Sequence, residues 1–254
     1  MIHFEHIYKR YPNGREALSD LSLEIAAGEI AFLTGHSGAG KSSLLKLIAL
    51  IERPTRGQLI VNGHNVAAVS SSKVPAFRRQ IGMVFQDHKL LHDRTIFDNV
   101  ALPLIIAGIG AKEIGKRVRA ALDQVGLLGR EQSLPLELST GEQQRVGIAR
   151  AVVSKPAILI ADEPTGNLDP DLSVEVMNIF RRFNEVGVTV LIASHDVYLL
   201  ERFPVRRVRL EAGRIVDSSA AAPTGKLTAK PGERSEAQLL DPGKLLGLGD
   251  GVSP

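Results

Sequence analysis

Apolar and polar residues alternate in short runs over the first 34 positions: Ile2 and Phe4, then Leu21, Leu23 and Ile25, separated by Pro12-Asn13-Gly14 and Ala27-Gly28. A period of two bounded by Gly, Pro and Asn is strand-and-turn chemistry. Ile30-Ala31-Phe32-Leu33 is apolar throughout and predicts a buried strand, and 42–51 after it reads as a helix. Leu59-Ile60-Val61 runs into Asn62-Gly63, a strong turn signal, and 81–85 is another short apolar strand. From about Thr95 to Val153 the pattern changes to helices, with apolar residues of 111–125 at helical spacing between charges. Two more continuous apolar runs, 157–161 and 188–193, flank a segment of helical period at 170–186. Runs without alternation suit strands covered on both faces. The pattern therefore predicts an α/β fold, with a mainly parallel sheet, N-terminal antiparallel strands and a helical insertion between the two halves of the sheet. After Asp217 the chain turns to Ala, Pro, Gly, Ser and Lys without an aromatic residue, and 217–254 reads as a flexible tail. Its leucines at 239–240 and 245–248 read as part of that tail.

Composition narrows this picture only a little. At 254 residues the chain can bury a sizeable core as one domain, and 44% hydrophobic content is ordinary for a globular protein. A net charge of +3 without a long basic run gives no argument for nucleic acid. Cysteine is absent, which removes disulfides and thiolate metal sites and fits a reducing compartment. The N-terminus lacks the basic and apolar regions of a signal peptide. The uncharged stretch 99–111 is broken by Pro103, Gly108 and Gly110, and falls short of the roughly 20 residues that cross a bilayer. Membrane association is accordingly expected through a partner or a surface contact.

The chemistry lies in a few segments. Gly35-His36-Ser37-Gly38-Ala39-Gly40-Lys41-Ser42 fits G-x-x-x-x-G-K-[ST] between a predicted strand and a predicted helix. Its glycines let successive backbone N–H groups approach an anion, Lys41 supplies a point charge for β- and γ-phosphates, and the Ser42 hydroxyl suits Mg²⁺. Asp162 and Glu163 close a predicted strand at the edge where open α/β sheets bind ligands. One carboxylate there suits a Mg²⁺ shell while its neighbour orients and deprotonates a water. Leu138-Ser139-Thr140-Gly141-Glu142 opens a helix, and Ser139 and Glu142 have capping-box spacing, so the segment reads either as a capped helix or as a phosphate nest. Taken singly, Gln86 and His195 read as structural residues at strand ends, and Tyr11 says nothing.

In chain order these segments resemble the nucleotide-binding subunit of ABC transporters over about residues 1–216. They correspond to Walker A at Gly35–Ser42, a Q-loop at Gln86, a signature at Leu138–Glu142, Walker B ending at Asp162-Glu163, a D-loop at Asn167-Leu168-Asp169 and a switch His195. Residues 34–41, 78–88, 93–100, 103–108 and 146–153 look most like the cell-division branch of that family. The resemblance implies a P-loop NTPase core at about 1–86 and 155–216, a helical subdomain at about 87–154, and a head-to-tail homodimer sandwiching two Mg-ATP. Tyr11 would stack on adenine, and Gly35, His36, Ser37, Gly38, Ala39, Gly40, Lys41, Ser42, Ser43 and Gln86 would line the nucleotide. Ser42, Gln86 and Asp162 would hold Mg²⁺, with Glu163 as general base and with His195 and Lys41 at the γ-phosphate. Ser139, Gly141 and Asp169 complete the implied nucleotide contacts, the first two from the opposite subunit.

The same resemblance implies a Mg-dependent ATPase on the cytoplasmic face of the inner membrane. It would be coupled to an integral-membrane partner of FtsX type docking near Gln86–Val100, in the company of division-ring proteins, and would regulate cell-wall hydrolysis. The alternatives are the ATPase of a lipoprotein-release or macrolide-export transporter, and an ATP-binding scaffold with little hydrolysis. Thr140 departs from the family signature, which has Gly there, and its Cβ is expected to crowd a partner's γ-phosphate.

Overall fold

The computed structural model describes residues 1–219; the stretch 220–254, with its leucines, lies outside the described residues. Two sheets organise the chain. The first is antiparallel, in the order β2-β1-β4-β5, from β1 (Ile2–Arg10), β2 (Glu16–Ile25), β4 (Arg56–Val61) and the short β5 (His64–Asn65). Asn62 and Gly63, at φ 48° and 77°, make the β4–β5 turn that their sequence announces. The second sheet has six strands in the order β10-β9-β3-β8-β7-β6. Its parallel members are β3 (Ile30–Thr34), β6 (Ile81–Val84), β7 (Ile158–Asp162), β8 (Thr189–Ala193) and β9 (Arg206–Glu211). β10 (Arg214–Ser219) closes the edge antiparallel to β9.

Side chains of the parallel strands point alternately into two apolar cores, which is why these segments read as unbroken hydrophobic runs. Phe32, Leu159, Ala161, Val190 and Ile192 enter one core, shared with α3 (Ile96–Ile106), α4 (Ala111–Gln124), α5 (Thr140–Val152) and α6 (Pro170–Glu185). Ala31, Leu33, Ile158, Ile160, Leu191 and Ala193 enter the other, beneath α1 (Lys41–Ile48) and the antiparallel sheet. The short α2 (Val74–Arg78) and α7 (Val197–Arg202) complete the α-helices of the described residues. The chain thus leaves β3 towards one face and β7 towards the other. A crevice forms at the carboxyl ends of strands where connections diverge in this way.

Two boundaries and one element differ from those read in the sequence. The helix expected over 42–51 ends at Ile48, because Leu50 takes a left-handed φ of 51°. Ile51 N–H then donates to Lys46 O and Leu50 N–H to Leu47 O, closing the helix as a Schellman turn with leucine where glycine is usual. Leu50 is nevertheless buried, and that burial offsets the backbone cost. The tail boundary at 217 falls inside β10, which continues to Ser219. The β9–β10 hairpin has no counterpart in the apolar pattern, since arginines and serines fill much of this edge.

Candidate functional site

Adjacent parallel strands deliver the candidate residues at their carboxyl ends. β3 runs into the Gly35 loop, β8 into Ser194-His195, β7 into Asp162-Glu163 and β6 into Phe85-Gln86. Of these, Gln86, Asp162, Glu163 and His195 line a cavity of about 670 Å³ that also takes in Tyr11, Asn13, Arg15, residues 36–43 and Lys46, whereas Gly35 does not reach its lining. The loop packs so closely on its surroundings that a Cβ at Gly35 would lie 2.3 Å from Leu210 O, and one at Gly40 would lie 2.6 Å from Ala17 O. These glycines, at φ 140° and 114°, fix the loop against the scaffold and at the mouth of α1.

Lys41 is only 7% exposed. Its Nζ donates to Gly35 O at 2.7 Å and His36 O at 3.4 Å, and stands 3.3 Å from Glu163 Oε1. Glu163 therefore spans two partners, because its Oε2 meets His195 Nδ1 at 2.9 Å. Its backbone is left-handed, φ 47°, and is tied to the next strand by a hydrogen bond from Glu163 N to Ala193 O at 2.9 Å. A glutamate keeps that conformation only when its surroundings over-determine it, which is common at functional sites. Asp162 Oδ1 accepts from Ser42 Oγ at 3.1 Å. Burial pushes the Asp162 carboxyl above its ordinary pKa; the Ser42 bond opposes this shift and the charge of Glu163 adds to it.

This donor set fits Mg²⁺ with a polyphosphate. A hydroxyl and a desolvated carboxylate stand together, and the side-chain amide of Gln86 lines the same cavity. Mg²⁺ takes such sparse oxygen ligation when phosphate and water complete its shell. No cluster of three or more His, Cys, Asp or Glu suited to a metal occurs among the described residues, so nothing here resembles an all-protein metal cage. The cationic side of the cavity, with Lys41, Arg15 and Lys46, complements a chain of phosphates.

Tyr11 lines the cavity with its hydroxyl bonded to Ser43 Oγ at 3.0 Å and Glu52 Oε1 at 3.2 Å. The ammonium of Lys9 lies 5.1 Å from the centre of its ring. Ser139, Gly141 and Asp169, in contrast, do not line this cavity. Ser139 caps α5 in a full capping box: its Oγ accepts from Glu142 N at 3.3 Å, and Glu142 Oε2 accepts from Ser139 N at 2.9 Å. Thr140 is exposed beside it, and a Cβ on Gly141 would come within 3.0 Å of Leu172 Cδ1. Asp169 caps α6, its Oδ1 accepting from Asp171 N and Leu172 N. Both carboxylates serve their own helix ends in this chain.

Asn13, Arg15 and Lys46 line the cavity although none belongs to a motif read in the sequence. Lys46 had a readable signal, since it stands four residues after Ser42 and shares its helix face. Asn13 and Arg15 reach the cavity through a turn: Arg15 N donates to Asn13 Oδ1 at 3.1 Å, and Arg15 Nη2 lies 3.4 Å from Gly38 O.

Comparison with known proteins agrees with this geometry. Residues 18–166 match the family described as ABC transporter. The cell division ATP-binding protein FtsE of Escherichia coli (strain K12) is 57% identical over 215 residues, covering 85% of this chain and 97% of that protein. Its namesake in Bacillus subtilis (strain 168) is 45% identical over 216 residues, covering 85% and 95%. Among solved structures, the dimeric structure of MJ0796, a bacterial ABC transporter cassette, superposes with a TM-score of 0.80 at 32% identity, covering 87% of this chain and 99% of that one. A dimeric post-hydrolysis state of that cassette bound to ADP and Pi superposes equally, at 31% identity.

Proposed function

The chain belongs to the ABC transporter family, and from that premise we propose that it is a Mg²⁺-dependent ATPase subunit that drives an integral-membrane partner in bacterial cell division. The observation that carries the ATPase reading is the convergence of Lys41, Asp162, Glu163 and His195 on one cavity at the carboxyl ends of adjacent strands. The cell-division reading rests on likeness to proteins named for that process.

The chemistry follows from the pairings. Lys41 is held by loop carbonyls and Glu163 in this structure, and a triphosphate competes for its charge. Release of Lys41 to phosphate frees Glu163 Oε1 to accept a proton from an attacking water, while Oε2 stays on His195. His195 Nδ1 thereby fixes the carboxylate, and its exposed ring is free to meet the γ-phosphate. Ser42, Asp162 and Gln86 would hold Mg²⁺, which supplies neutralisation of phosphate charge. Tyr11 takes the base, and Arg15 and Lys46 flank the phosphates.

Ser139 and Gly141 lie at a helix N-terminus outside their own cavity, which supports their serving the nucleotide of a second copy. Asp169 is assigned to the same interface, from the neighbouring helix start.

For the membrane partner, a second cavity of about 450 Å³ is lined by Pro75, Met83, Leu102, Pro103 and Ile106, with Arg78, Arg79 and Arg150 on its walls. Arg150 on its wall also donates to His88 O and Lys89 O, which ties the cavity to the segment 86–100, and its lining suits an apolar segment with acidic flanks from an FtsX-type protein or a division-ring protein. No helix among the described residues is long and apolar enough to cross a membrane. The chain would be held at the cytoplasmic face by that partner.

The test is complementation. In bacteria depleted of their own cell-division ATPase, the wild-type chain should restore septation and Glu163→Gln should not. Equal rescue by both would refute a role for hydrolysis.

A further inference from the structure

The segment between β6 and α3 opens with Gln86, which lines the nucleotide cavity. It then holds two successive left-handed residues, His88 at φ 57° and Lys89 at φ 49°. Residues other than glycine rarely keep this conformation unless their surroundings enforce it. Here the surroundings are two side chains of α5. Gln144 is fully buried and brings Oε1 to 2.5 Å from His88 Nδ1. Arg150 donates to His88 O at 2.5 Å and to Lys89 O at 2.6 Å. Gln144 Nε2 finds no hydrogen-bond partner among the described residues, so the amide meets His88 at the expense of its other end. Beyond the strained pair, buried Asn99 accepts from Leu91 N at 2.8 Å and donates to Leu91 O at 3.0 Å, which secures the far side of the loop. The side chains of Asp87 and Lys89 pair with each other on the exposed side and take no part in the clamp, to which Lys89 contributes only its backbone carbonyl.

A metal ligand on a loop is only as well placed as the loop is rigid. Gln86 is exposed, so its aim depends on the backbone that follows it. We propose that His88 is a positioning residue for the nucleotide site: by pinning the Gln86 loop to Gln144 of α5, it sets the Gln86 amide against the metal-and-phosphate end of the cavity. The inference rests on the ATPase reading above and adds a residue that lies outside the cavity. The same clamp joins the loop to the helix whose N-terminus carries Ser139, so a shift of one is transmitted to the other.

The test compares the full chain with His88→Ala, His88→Gly and His88→Asn. Asparagine tolerates the left-handed backbone and carries an amide group near the place of Nδ1, whereas glycine relaxes the backbone and removes the ring. Two quantities are read: Mn²⁺ binding to the ATP complex by electron paramagnetic resonance, and amide hydrogen exchange of 86–91 in the nucleotide-free protein. The expected result is a Mn²⁺ Kd raised about tenfold in His88→Ala and His88→Gly, the low end for a lost outer-shell contact. Metal-free ATP affinity should stay unchanged, loop exchange should become faster, and His88→Asn should behave as wild type. Unchanged Mn²⁺ affinity in the Ala and Gly variants overturns the proposal, as does an Asn variant no better than Ala. A wild-type chain that binds no ATP would refute the ATPase reading instead. The exchange arm then decides the clamp, and equal protection in all four proteins refutes it.

Discussion

At the scale of single residues, Asp162 and Ser42 show how binding chemistry is set against stability. The Asp162 carboxyl is half-buried with the Ser42 hydroxyl as its hydrogen-bond partner, and burial raises its pKa above the ordinary 3.8. The folded chain therefore keeps a proton on this group at pH values where the unfolded chain has released it. Its stabilising contribution is complete below the unfolded value and is lost as pH rises through the folded one. At neutral pH the ionised, desolvated carboxylate is a liability that a bound cation would relieve. Asp162→Asn should accordingly raise the nucleotide-free melting temperature at pH 7 by about 2–4 °C, the shift produced by about 1 kcal/mol in a domain of this size. The gain should shrink towards the ordinary carboxylate range, and Mg-ATP should stabilise the wild type far more than the variant. Calorimetry across pH checks both points. A lower melting temperature in Asp162→Asn at pH 7 would show that the Ser42 bond outweighs desolvation.

At the scale of elements, helix starts carry part of the site, and their stability and chemistry can be separated. Asp169 caps α6 through two backbone N–H groups. Asp169→Ala should cost about 1 kcal/mol in urea unfolding, whereas Asp169→Asn should lie close to wild type because asparagine caps equally well. If Asp169→Asn unfolds as easily as Asp169→Ala, the carboxylate charge rather than the cap secures the helix. What was legible in the sequence follows the same logic. β3, β7 and β8 announced themselves because both faces are buried, and α6 because one stripe is. The end of α1 did not, since leucine in the left-handed position of a Schellman turn reads as more helix. The β9–β10 hairpin was hidden by Arg206, Arg207, Arg209 and Arg214, whose charges obscure a period of two on an edge. Within the site, Lys41, Ser42, Asp162 and Glu163 were readable by motif. Gln86, His195 and Tyr11 gained meaning only from their order along the chain. Arg15 comes to the cavity through a turn, and its approach to Gly38 has no signature in local sequence.

At the scale of the whole molecule, one chain lines the cavity proposed for nucleotide and metal, while Ser139, Gly141 and Asp169 stand outside it. In the proposed assembly those residues work across a dimer in which each copy covers the other's ATP. Light scattering of Glu163→Gln with and without Mg-ATP tests it most directly, because removing the base blocks turnover and leaves the assembled state to accumulate. In the same assay Thr140→Gly should lower the protein concentration needed to dimerise, since a Cβ at the exposed start of α5 is removed. Glu163→Gln should be a dimer with Mg-ATP and a monomer without it. A monomer under both conditions, with ATP demonstrably bound, would contradict that assembly.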